Sequence, residues 1–121
     1  MSSTPKSVGV WGESLATEYL QGKGYDILGR NIRTPYGELD IIARKGWVTV
    51  FVEVKTRRSS VFGLPEEAIT AKKRQHLIQS AQAFLQEHPE YEGDWRIDVI
   101  AIQKFERKTP KILHYENAIT G

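Results

Sequence analysis

The stretch from Glu38 to Lys55 constrains what this chain can fold into more than any other. Two apolar-rich runs, Glu38 to Ala43 and Trp47 to Thr56, flank Lys45-Gly46, which reads as the two-residue turn of a hairpin. Such a turn pairs Arg44 with Trp47, Ile42 with Thr49, Asp40 with Phe51 and Glu38 with Glu53. Strand side chains alternate between faces, so Leu39, Ile41, Ala43, Val48, Val50, Val52 and Val54 share one face. A one-residue slip would divide that set between core and solvent, and burying it fixes the parity of the pairing. The other face carries Glu38, Asp40, Glu53 and Lys55 towards one end.

In this register Asp40 and Glu53 are diagonal neighbours, about 7–8 Å apart, and Glu38 stands opposite Glu53. Carboxylates so gathered repel one another unless something positive lies among them. One reading is an ordinary solvated face on which Lys55 and Arg44 pair with Glu38 and Glu53. The other is a divalent-metal site. Hard carboxylate oxygens suit Mg²⁺ or Mn²⁺, which take one or two such ligands and keep water and substrate phosphate as the rest. Lys55 could then orient or deprotonate a metal-bound water, or offset charge in a phosphoryl transition state.

Around the hairpin the chain alternates helix and strand. Trp11, Leu15, Ala16, Tyr19 and Leu20 form one face of a helix from Val10 to Gln21, ended by Gly22 and Gly24. An extended segment from Tyr25 to Ile32 and a turn at Pro35-Tyr36-Gly37 follow. After a looser stretch containing Ser59, Ser60, Gly63 and Pro65, Thr70 caps a long helix that ends before His88-Pro89. Trp95 to Ile102 alternates as a strand, and Ile112 to Tyr115 is a short edge strand. A hairpin plus a strand reached through a long helix makes a mixed sheet packed by helices, the α/β class. At 121 residues there is core enough for one domain, taken as 8–121, with 1–7 as a flexible tail.

Charge sharpens the functional reading. The net charge is only +2, yet Arg44 to Arg74 holds eight basic residues against three acidic ones. Such a bipolar chain can offer a basic face to a polyanion. Lys72, Lys73 and Arg74 fall in the first turn of the second helix, where the macrodipole disfavours cations by roughly 0.3–1 kcal/mol each. Either they share an anion such as a phosphate with the helix N-terminus, or Glu66 and Glu67 neutralise them locally. Arg57 and Arg58 continue the Glu53–Lys55 strand into residues that could track a nucleic-acid backbone.

The remaining candidates are weaker. Asp98 is expected to form a structural salt bridge with Arg96 or with a neighbouring strand, and Glu13, at the margin of the first helix's apolar stripe, could lean over the sheet. His76, His88 and His114 are too scattered for zinc, and Gly22-Lys-Gly24 lacks the spacing of a phosphate loop. With no cysteine there is no disulfide scaffold, thiol nucleophile or iron–sulfur cluster, which fits a cytoplasmic location. The apolar runs are too short to span a bilayer, and no membrane association is expected.

Gly37-Glu-Leu-Asp40-Ile-Ile-Ala43 followed by Glu53-Val-Lys55 resembles the Asp…Glu-x-Lys signature of the PD-(D/E)XK nuclease superfamily. More closely, the chain resembles the YraN family of bacterial proteins, itself similar to archaeal Holliday-junction resolvases. The likeness runs from about Gly12 to Ala118, through Gly12-Glu13, Tyr19-Leu20, Gly24-Tyr25, Arg30-Asn31, Phe51 to Lys55, Ala68, Lys73, Leu77, Ala81 and Arg96-Ile-Asp98. It implies a restriction-endonuclease-like fold, with Asp40 and Glu53 as metal ligands, Lys55 as the catalytic lysine and Glu13 as the acid of the first helix. Lys73 and Gln75 fall where the superfamily's second helix often supplies a supporting polar residue, while His76 stands where relatives usually carry arginine.

The implied function is Mg²⁺- or Mn²⁺-dependent hydrolysis of phosphodiester bonds in branched or structured DNA, with Arg57, Arg58, Lys72 and Lys73 gripping phosphates. By analogy with junction-cutting enzymes, a homodimer would supply two sites. The alternative is a nucleic-acid-binding accessory protein that keeps the fold without cutting.

Overall fold

A computed structural model describes residues 5–58 and 69–119. Its elements run α1 (Pro5–Gly22), β1 (Asp26–Thr34), β2 (Gly37–Lys45), β3 (Val48–Arg58), α2 (Ala71–Glu87), a 3₁₀ turn (Pro89–Tyr91), β4 (Trp95–Lys104) and β5 (Lys111–Ile119). The strands form one sheet in the order β1-β2-β3-β4-β5. Every pairing is antiparallel except β3 with β4, which run parallel because α2 carries the chain back across the sheet. This is the expected α/β class, a mixed sheet flanked by helices, and it is consistent with a restriction-endonuclease-like fold.

Each face of the sheet is sealed by one helix. On one side Ala16 and Leu20 of α1 pack with Tyr25, Ile41, Ala43, Val50, Val52, Ile100 and Ile102. On the other, Leu77, Ala81 and Phe84 of α2 pack with Ile42, Phe51, Ile97 and Val99. The second face of the hairpin is therefore core as well, not an open polar surface. Helix α1 lies close to β3 at Gly12, where a β-carbon would overlap Thr56 Oγ1. Thr70 caps α2 as expected, its Oγ1 accepting the Lys73 N–H at 3.1 Å.

The structure departs from the sequence reading in four places. Helix α1 starts at Pro5, so it takes in residues 5–7 of the segment expected as a tail, while residues 1–4 lie outside the described residues. Strand β5 is nine residues long, more than double the expected Ile112–Tyr115, because it pairs with β4 along most of its length. The hairpin turn is Gly46-Trp47, since Lys45 pairs with Val48 and Ile41 with Val52. Gly46 has φ +60, a conformation that glycine adopts freely at the first position of a two-residue turn.

This two-residue shift keeps the parity of the faces but changes who meets whom. The ladder ends at Ile41 and Val52, one residue short of Asp40 and Glu53, while Glu38 pairs with Arg33 of β1 and is not Glu53's opposite number. Leu39 also differs from expectation. It joins the α2-side core with Ile42, while Ile41 faces α1, so the simple alternation breaks around Asp40.

A candidate acidic site at the end of the hairpin

The site begins with backbone geometry. Asp40 sits where β2 stops alternating, and its Oδ2 accepts the N–H of Val54 at 2.9 Å. A carboxylate is thereby fastened to the middle of β3, beside Glu53. Glu53 is only 4% exposed, an unusual place for a glutamate. Its Oε1 lies 3.6 Å from Lys55 Nζ and 3.6 Å from Lys73 Nζ, so one lysine comes from its own strand and the other from the first turn of α2. Its Oε2 is buried with no hydrogen-bond partner.

The electrostatics follow from this burial. Loss of solvent, and next the neighbouring Asp40 carboxylate, push Glu53 up to about 7 against the pull of Lys73 and Lys55. Asp40 is also raised, chiefly by burial, although the Val54 N–H and Lys73 act the other way. With both carboxyls raised by burial and close together, the two behave as a pair sharing one proton. Such a pair readily exchanges its proton for a cation.

Glu13 of α1 extends the acidic region. Its pKa is raised by partial burial and then by Asp40, while Asn31 and Arg30 of β1 oppose the shift. Asn31 takes a left-handed φ of +52, and Arg30 Nη2 donates to Ser14 Oγ at 3.3 Å. Nothing in the sequence pattern marked Arg30 and Asn31 as neighbours of the acids, because the link is made by the α1–β1 contact. Among the described residues, no three His, Asp or Glu side chains converge closely enough to hold a metal ion by themselves. The structure thus brings Asp40, Glu53, Lys55 and Lys73 together, with Glu13 at the border.

The other candidates occupy several places. Lys73 faces the buried Glu53, which accounts for a cation against its own helix dipole; Lys72 and Gln75 are exposed beside it. Neutralisation by Glu66 and Glu67 lies outside the described residues. Arg57 and Arg58 continue β3 alongside Gln103 and Lys104 of β4. Arg44 does not pair with the acids. It donates to Thr49 Oγ1 at 3.0 Å and stacks over Tyr91 near the opposite end of the hairpin.

Asp98 proves structural, as expected, but in a larger network than one salt bridge. Fully buried, it accepts from Arg96 Nε at 3.0 Å and from the Asn117 N–H at 2.9 Å, and it lies 2.7 Å from His114 Nε2. Arg96 donates on to Tyr25 OH at 2.9 Å, and His114 Nδ1 lies 3.3 Å from Tyr19 OH. Asn117 was not legible as a partner, because an irregularity in β5 brings it there, while His114 reaches Asp98 from the regular ladder opposite Ile100.

The model of the uncharacterised protein family UPF0102 matches residues 12–102. A UPF0102 protein of Syntrophomonas wolfei is 47% identical over 113 residues, covering 93% of this chain and 97% of its own. One from Alkaliphilus oremlandii is 49% identical over 115 residues, with 93% and 97% covered. UPF0102 protein DehaBAV1_0707 of Dehalococcoides mccartyi is 39% identical over 119 residues, with 98% of each chain covered.

Proposed function

The chain belongs to the uncharacterised protein family UPF0102, the family also called YraN, and we propose that it is a metal-dependent endonuclease of the PD-(D/E)XK type acting on branched or structured DNA. The single observation that carries this reading is Glu53 Oε2, a buried carboxylate oxygen without a donor, set against a second fixed carboxylate at Asp40. A buried acceptor left unmatched costs stability, and a divalent cation is the partner that two hard oxygens fit best. Asp40 and Glu53 would hold Mg²⁺ or Mn²⁺, which would supply Lewis-acid stabilisation of charge on a phosphoryl oxygen.

The chain's own groups supply the rest. Asp40 is oriented by Val54, so its carboxylate needs no rearrangement on binding. Lys55, tethered 3.6 Å from Glu53, orients the attacking water and offsets developing negative charge. Lys73 keeps Glu53 available as an anion, and Lys72, Arg57 and Arg58 hold flanking phosphates. Glu13, bordering Asp40, adds a second polar contact to the same space.

One observation favours the second reading, a nucleic-acid-binding accessory protein that does not cut. Only two acids converge among the described residues, and two lysines already balance Glu53. A single experiment separates the readings. Wild type, Asp40→Asn and Lys55→Met are incubated with four-way junction, flap and single-stranded DNA in Mg²⁺ and then Mn²⁺, with binding and cleavage scored together. A nuclease shows metal-dependent cleavage that both variants lose by at least about 100-fold while still binding DNA. Binding without cleavage in the wild type selects the accessory protein, and cleavage unchanged in Asp40→Asn removes the site.

A further inference from the structure

A row of side chains leads away from Glu53 across the sheet. Val99 is its partner in the β3–β4 ladder, and Tyr115 is Val99's partner in the β4–β5 ladder. Two interstrand spacings put Tyr115 about 10 Å from Glu53, on the face that α2 covers. There the row opens into a cavity of about 410 Å³, lined by Ile69, Arg74, Val99, Tyr115, Glu116 and Ala118.

The outer wall of this cavity is built with unusual care. Ile97 pairs with Ile119 and Val99 with Tyr115, so three residues, Glu116 to Ala118, stand opposite the single residue Asp98. A bulge of this kind bends an edge strand and re-aims its side chains. Asn117 at its centre has φ +50, a strained conformation for a non-glycine residue. Its N–H is held by the fully buried Asp98, itself braced by Arg96 and His114. A buried charged network thus fixes the irregular strand that places Tyr115, Glu116 and Ala118 around the cavity.

We propose that this cavity receives one unstacked base of the nucleic-acid strand whose phosphate lies at Asp40 and Glu53. The inference rests on the nucleic-acid reading above and names the form of substrate that the same site takes. Tyr115, Val99 and Ile69 offer the flat apolar walls that a base face requires, and the volume falls within the usual range for small-ligand sites. Arg74 supplies donors and Glu116 acceptors for the base edge. Glu116 is 63% exposed and only loosely tied to Arg96, at 4.0 Å, so it is free to turn towards a ligand. Pulling a base from an intact duplex is costly, whereas single strands and branch points present one already unstacked. Preference for such DNA then follows from the cavity.

The test uses full-length protein with Ca²⁺ replacing Mg²⁺. Oligonucleotides carry 2-aminopurine at successive positions near a branch or within a single strand. In parallel, 5′-mononucleotides are titrated while the NMR signals of Tyr115 and Ala118 are followed. We expect a fluorescence change at one position, mononucleotide shifts at both residues, and an Ala118→Trp variant that loses about tenfold in single-strand affinity but none for duplex. Glu116→Ala, at an exposed position, serves as a second variant and should weaken mononucleotide binding if Ala118→Trp does not fold. Cavity shifts here, with no cleavage by the wild type in the Mg²⁺ and Mn²⁺ assay above, keep the base site and remove the nuclease. Cleavage in that Mg²⁺ and Mn²⁺ assay, with flat fluorescence here and variants that bind like wild type, removes the base site and keeps the nuclease. No response to either ligand removes both.

Discussion

Asp40 Oδ2 and the backbone N–H of Val54 meet at 2.9 Å, and this one bond fastens an acidic side chain of β2 beside the buried Glu53 of β3. The bond explains how two carboxylates can be kept close in a folded protein. Their repulsion is borne by the hairpin, whose apolar residues on both faces are packed by helices, and not by the site itself.

Glu53 should therefore destabilise the metal-free protein at alkaline pH. Its pKa lies near 7 in the folded state and near 4.5 when unfolded. The folded state binds the proton more tightly, so stability is full below about 4.5 and falls as pH rises through 7. Glu53→Gln removes the charge and with it the loss. Urea unfolding in EDTA should show the variant more stable than wild type at pH 8, by at most about 3 kcal/mol, and the two close together at pH 4.5. Equal stability at pH 8 would mean that Glu53 is not the strained group.

Metal should reverse that penalty. Mn²⁺ added at pH 8 raises the melting temperature of wild type and leaves Glu53→Gln nearly unmoved. At one hundred times its dissociation constant the ion adds about 2.7 kcal/mol. At pH 6 the ion must displace the shared proton, so the apparent affinity falls and calorimetry in buffers of different ionisation enthalpy reports proton release. Pronounced stabilisation of both proteins alike would place the ion elsewhere.

Asp98 predicts the opposite pH behaviour. Burial alone would raise its pKa, but His114, the Asn117 N–H and Arg96 together hold it below the usual carboxylate value. A depressed acid contributes stability that is present above its unfolded pKa and is lost as pH falls through the folded one. Asp98→Ala leaves Arg96 and the Asn117 N–H without their acceptor and should cost about 3–5 kcal/mol at pH 7. Its deficit relative to wild type should shrink below pH 4 in thermal melts. A deficit that stays constant with pH would show that packing, not charge, is what the substitution removes.

How far the sequence foretold all this depended on whether a contact was local. Thr70 as a cap, the Asp40–Glu53–Lys55 grouping and the Arg96–Asp98 bridge were legible, because each is set by strand alternation or by helix-end chemistry within a few residues. The hairpin was read with its turn one residue early, since Lys45-Gly46 and Gly46-Trp47 satisfy the same parity and only the turn conformation of Gly46 distinguishes them. Lys73 meeting Glu53 depends on where α2 lands on the sheet, and Asn117 meeting Asp98 depends on a bulge. Neither has a periodic signature.

The seating of α1 gives a test of how Glu13 is placed. A β-carbon at Gly12 would overlap Thr56 Oγ1 and would also crowd the Thr56 Cβ at 3.1 Å and Cγ2 at 3.3 Å, one residue beyond Lys55. Either Thr56 turns or the helix lifts from β3, carrying the adjacent Glu13 away from Asp40. Gly12→Ala should cost about 1–3 kcal/mol in urea unfolding, in the manner of other overpacked contacts. Thr56→Ala removes Oγ1 and Cγ2, so the double variant should recover at least half of that loss, a coupling that a double-mutant cycle reads directly. Additive effects would mean that the two residues do not share the contact, and that glycine is needed at position 12 for a reason other than close approach.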